Sequence, residues 1–93
     1  MLCHAYADRV DCYDNDEPQT VQPAQSSFAN RIDFLRALHA DLVVHFRRRK
    51  VPHVGVEYPN LGRAKKNVNR HVGEVTGIIV SAALQAGASV EKA

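Results

Sequence analysis

Ninety-three residues, 45% hydrophobic and 24% charged, make one small globular domain or part of a larger one and exclude a chain disordered throughout. The formal net charge of +2 hides an uneven distribution: residues 1–29 carry one Arg against five acids (net −4), residues 30–73 ten Lys or Arg against three acids (net +7), and residues 74–93 one Lys against two acids (net −1). The basic middle is the part suited to facing a polyanion.

At the N-terminus no basic stretch precedes an apolar one, as a secretory signal would require. Cys3 and Cys12 have no zinc-type spacing and no further partners. The longest apolar-rich run, 78–84, is too short for a bilayer. The expectation is a cytoplasmic chain with reduced thiols and no membrane partner. Residues 2–13 read as extended, 14–18 (DNDEP) as a turn and 19–22 as a short strand, so residues 1–27 form a hairpin at a sheet edge or a poorly ordered lead-in. The DNDE of that turn lacks the glycine and distal glutamate of a calcium loop.

The spacing of Phe28, Ile32, Leu35, His39, Leu42 and Phe46 predicts a helix from Phe28 to Lys50. Ser26 or Ser27 supplies its N-cap, Arg47 to Lys50 suit its C-terminal dipole, and Pro52 closes it. His39 falls on the apolar stripe as a core-edge residue. Val51 to Tyr58 is short, β-branched and apolar in its middle, as a central parallel strand should be. A second helix, Arg63 to Gln85, presents Val68, Val72, Val75, Ile79, Ala83 and Ala86 on one stripe. Gly73, Gly77 and Ser81 form another, narrow enough to admit a second backbone, and Gly87 stops the helix. Residues 88–93 begin a further strand. Residues 28–93 are thus a helix–strand–helix–strand core within one α/β domain, and strand–helix–strand implies a right-handed parallel crossover.

Ligands of open α/β sheets sit at the carboxyl ends of strands, and Glu57 occupies such an end. A carboxylate there can hold a divalent cation if others join it; otherwise it is a solvated residue at a loop start. Two such ions support in-line attack of water on a phosphodiester. Arg63, Lys65, Lys66 and Arg70 then stand around the start of the second helix, where the dipole disfavours cations by roughly 0.3–1 kcal/mol each. A phosphate backbone would reverse that cost, which makes these four residues candidates for nucleic-acid contact rather than only a solvated face. His53 shares a strand face with Glu57, but four residues span about 13 Å, too far for one metal.

On these residues the chain resembles the RuvC family of Holliday junction resolvases, within the ribonuclease H-like superfamily. The segment VGVEYPNLGRAKKNVNRHVGEVTGIIVSAALQAGASVE follows the family order: an apolar strand ending in Glu, a loop, a polar and basic helix start, a Gly-x-x-x-Gly step, an alanine-rich helix end and a strand. The preceding RIDFLRALHADLVVHF matches the helix before that strand, so the resemblance covers residues 28–93. It implies a metal-dependent endonuclease acting on branched DNA, with Glu57 as catalytic ligand of Mg2+ or Mn2+. It further implies that the loop from Tyr58 to Gly62 approaches the junction, and that a homodimer forms near the helix bearing Gly73 and Gly77. The resemblance implies an aromatic of this loop offered to the bases; here Tyr58 adjoins Glu57 and the loop is about one residue longer than usual.

Two departures stand beside the resemblance. No Ile-Asp-Pro-Gly-like motif of a first strand precedes residue 28, and the family's last acidic ligands belong to a helix beyond the strand that residues 88–93 begin. The fold expected is therefore a partial ribonuclease H-like domain with a mixed sheet, lacking the first strand and the C-terminal elements. Either the chain is a central fragment of a resolvase, or the activity is lost, or Asp8 or Asp11 substitutes for the missing acid. The alternatives in function are a non-catalytic nucleic-acid-binding or dimerisation module, and a small α/β domain whose basic face does nothing specific.

Overall fold

A computed structural model of the chain describes residues 1–15, 17–24, 30–57 and 66–92, with the backbone alone for 66–69. The elements are β1 (Leu2–Ala5), β2 (Val10–Asp14), β3 (Glu17–Val21), α1 (Arg31–Arg48), β4 (His53–Glu57), α2 (Lys66–Gln85) and β5 (Ser89–Lys92). The strands form one sheet in the order β3-β2-β1-β4-β5. β1 pairs antiparallel with β2, and β2 with β3. β1 pairs parallel with β4, and β4 with β5. The expected α/β architecture with a mixed sheet is present.

The N-terminal third contains the expected edge hairpin, formed by β2 and β3, but is more than a lead-in. It supplies three strands, and β1 stands in the middle of the sheet where a first strand was expected to be missing. Residues 2–13 break into two strands at a reversal that contains neither Gly nor Pro: Ala5 faces Val10, and the Tyr6 N–H donates to the Arg9 carbonyl at 2.9 Å. Side chains hold this turn. Arg9 lies over the Tyr6 ring, 4.1 Å from its centroid, and donates to Asp8 at 2.8 Å. At the β2–β3 turn, Asn15 takes a positive φ of 51°, a conformation that asparagine tolerates better than most residues.

Alternation along the strands places Cys3, Ala5, Val10, Cys12, Val54 and Val56 on one buried face. α1 and α2 pack on each other over this face, α2 against β1, β4 and β5, and α1 against β3. α1 contributes Phe34, Leu38, Leu42, Val43 and Phe46 to the core, and α2 contributes Val72, Val75, Ile79, Ala82 and Ala83. The stripe on α2 follows the predicted spacing at its described positions. On α1 it is rotated: Ile32 is 65% exposed, and Phe34 and Leu38 are buried instead. The rotation buries an all-apolar row and leaves His39 half-buried at the margin, 3.1 Å from the Ser81 hydroxyl. Phe28, Ser26 and Ser27 lie outside the described residues. The N-cap is Asn30, whose side chain accepts the Asp33 N–H at 2.9 Å.

Both helices end in Schellman geometry. After α2, Gly87 (φ 86°) and Ala88 donate to the carbonyls of Leu84 and Ala83 at 3.1 and 3.0 Å. After α1, Lys50 and Val51 donate to Arg47 and Phe46, both at 3.2 Å, but here the left-handed residue is Lys50, with φ 50°. A side chain in that conformation costs about 1–2 kcal/mol. Glycine would remove that cost, and the extra freedom it gives the unfolded chain returns part of it.

Inside the core Cys3 and Cys12 face each other across β1 and β2, with sulfurs 3.7 Å apart and both thiols free. Their mutual contact and burial push the Cys12 thiol far up, so it stays protonated. Near the end of α1, Nε2 of His45 is buried with no hydrogen-bond partner. Burial holds this imidazole below its ordinary value, Arg49 adds to the shift and Asp14 opposes it.

Two outcomes are expected. Lys50→Gly stabilises the fold by about 0.5–1 kcal/mol, an increase of several degrees in Tm by circular dichroism, whereas Lys50→Ala changes little. Because unfolded His45 takes up a proton more readily than the folded residue, stability falls as pH drops below the ordinary value of 6.5. Denaturant titrations should show His45→Gln flattening the profile in that range.

Candidate metal and nucleic-acid site

Glu57 is the last residue of β4 and points away from the buried face, because Val54 and Val56 take the inward positions. Its side chain is 51% exposed. The parallel ladder sets Leu2 against Gly55, Cys3 against Val56 and His4 against Glu57. His4 therefore shares the face of Glu57, and its Nδ1 lies 3.1 Å from Glu57 Oε2. An ionised carboxylate only accepts, so the imidazole is the donor. On its other side the His4 ring rests on Tyr6, centroids 4.7 Å apart.

The register continues outward. Asp11 faces His4 across β1 and β2, and Thr20 faces Asp11 across β2 and β3. The four strands thus carry one polar row: Thr20, Asp11, His4, Glu57. Within it the Thr20 hydroxyl donates to Asp11 at 2.8 Å. Asp8 belongs to the turn, where Arg9 and Gln22 donate to its two oxygens at 2.8 and 3.1 Å. Of the two candidate substitutes for a first-strand acid, neither occupies the position beside Glu57; His4 does. Asp11 stands two strands from Glu57, about 10 Å at the backbone. His53, at the opposite end of β4, bonds the Ser89 side chain.

Among the described residues no three His, Cys, Asp or Glu side chains converge as a metal-ligand set. The eight residues 58–65 contain no acid that could join Glu57 from the following loop. Of the predicted nucleic-acid residues, Tyr58, Arg63 and Lys65 lie outside the described residues, as does the side chain of Lys66, which opens α2. Arg70 is exposed on α2. Gly73, Gly77 and Ser81 are exposed as well, and a methyl group at either glycine would meet no described atom within 4 Å.

One residue that sequence reasoning missed anchors this end of the sheet. Arg31 donates to Glu74 at 3.1 Å, to the Ala7 carbonyl at 2.6 Å and to the His71 carbonyl at 3.2 Å. It ties the turn after β1 to both helices, so its charge is engaged within the fold. Its only sequence signal was a cation in the first turn of α1, where the dipole disfavours one.

Strand order, the paired antiparallel and parallel ladders, and both helices on one face define a RuvC-like fold of the ribonuclease H-like kind. Among solved structures, Thermus thermophilus RuvC in complex with Holliday junction substrate is similar with a TM-score of 0.75 and 16% identity, covering 99% of this chain and 61% of that one. A second Thermus thermophilus RuvC structure is similar with a TM-score of 0.69 and 16% identity, covering 99% and 62%. The chain spans about three fifths of the length of these structures, and the likeness is one of fold. No family model and no curated protein matches the sequence. No described helix is long and apolar enough to cross a membrane.

Proposed function

We propose that this chain is a RuvC-fold module that binds branched DNA, with its basic loop and helix start as the contact surface. The observation that carries the proposal is the placement of Arg63, Lys65, Lys66 and Arg70 directly after the strand end at Glu57, on a fold shared with a RuvC that is bound to a Holliday junction. Each cation that neutralises a phosphate releases a counterion, and the start of α2 adds its dipole to the attraction.

A second reading, metal-dependent cleavage of the junction, is favoured by Glu57 alone. Its cofactor would be Mg2+ or Mn2+, with Glu57 as ligand, and a homodimer through α2 would place two sites on two strands. Among the described residues the side chains around Glu57 do not fit such an ion: one carboxylate and one imidazole stand where hard oxygen ligands are needed. Binding without cleavage is therefore the activity expected of this chain.

Gel shifts with a four-way junction and with linear duplex of equal length test the proposal. The junction should be preferred, and the slope of log K against log salt should flatten by about 0.9 per lost phosphate contact when Arg63, Lys65, Lys66 and Arg70 are replaced by Ala. Equal affinity for both DNAs, or an unchanged slope, overturns it.

A further inference from the structure

We infer that His4 closes the strand-end site to Mg2+, and that the single substitution His4→Asp opens it. The inference rests on Glu57 marking the metal position of the fold, and it is independent of DNA binding.

His4 faces Glu57 in the β1–β4 ladder, and its Nδ1 engages Glu57 Oε2 at 3.1 Å. Mg2+ is small and hard, demands octahedral oxygen ligation and sheds water reluctantly, so it settles where carboxylates gather around it. An imidazole offers nitrogen instead of a hard oxygen, and here it also takes up the one neighbouring carboxylate. Among the described residues no other acid compensates. Asp8 is held by Arg9 and Gln22, and Asp11 is held by Thr20 on the far side of His4. Glu57 is left as a single carboxylate, and a single exposed carboxylate does not displace the hydration shell of Mg2+.

The same register shows what one change would do. His4 stands between Asp11 on β2 and Glu57 on β4, directly opposite both. His4→Asp would set carboxylates on three adjacent strands in one row. Neighbouring strands lie about 4.8 Å apart. Two facing carboxylates at that spacing can each reach an ion between them at roughly 2.0–2.1 Å and leave its other positions to water or a phosphate oxygen. Without the ion the facing acids repel each other, so the ion also becomes a stabiliser of the folded state.

Manganese titration followed by electron paramagnetic resonance, with Mg2+ as competitor, is the test, and Tm with and without Mg2+ is the second readout. The wild-type chain should show no saturable Mn2+ binding that Mg2+ competes away and no rise in Tm with Mg2+. His4→Asp should bind Mn2+ saturably, release it to Mg2+ and gain Tm in its presence. Adding Glu57→Gln should abolish these gains. Saturable, Mg2+-competed binding by the wild type overturns the inference. So does a folded His4→Asp variant that gains nothing. Should His4→Asp fail to fold, wild type against Glu57→Gln still decides: any Mg2+-competed Mn2+ binding that depends on Glu57 refutes the exclusion. Junction affinity measured in EDTA reports on DNA binding separately, so failure of either proposal is recognised without the other.

Discussion

The parallel ladder between β1 and β4 is the constraint on which the rest of the structure depends. Cys3 and Val56 face each other in it, both buried. Because side chains alternate with a period of two, burying this pair sends His4 and Glu57 together to the opposite face. A slip of one residue would bring polar side chains into the core and expose Cys3 and Ala5, so the pairing of imidazole with carboxylate is fixed by hydrophobic burial. The chemistry at the strand end is thereby as well specified as the core.

The helices secure that ladder from one side. Val54 and Val56 pack under an apolar surface made by both helices, and Arg31 pins the turn after β1 to α1 and α2 at once. Among the described residues of α2 the one buried polar side chain, Thr76, donates its hydroxyl to the Val72 carbonyl at 2.9 Å, so its burial leaves no donor without a partner. His45 is the counterexample, an imidazole nitrogen enclosed without a partner. The two residues show how differently one fold treats polar groups near its core.

What the sequence revealed follows the range of the interactions involved. β4, α2 and the stop at Gly87 are governed by local pattern: a β-branched run, a stripe of period 3.6 and a residue free to take positive φ. Glu57 was legible as a strand end for the same reason. The break between β1 and β2 was hidden because its turn is held by Arg9, Tyr6 and Asp8 and carries no Gly or Pro. The rotation of α1 was hidden because Ile32–Leu35–His39 and Phe34–Leu38–Leu42 have equally good helical spacing, and only packing against α2 and the sheet decides between them. His4 could not be read at all: its role arises from register between residues 53 apart in the chain.

The outer border of the sheet at β3 also limits how this molecule meets others. Pro18 sits within that strand, facing Tyr13, and Glu17 beside it is exposed. A proline has no amide hydrogen to offer an incoming strand, and a charge at the margin resists close approach by an apolar ribbon. Addition of a further strand is thereby disfavoured on this flank, which keeps the sheet from pairing edge to edge with another chain there.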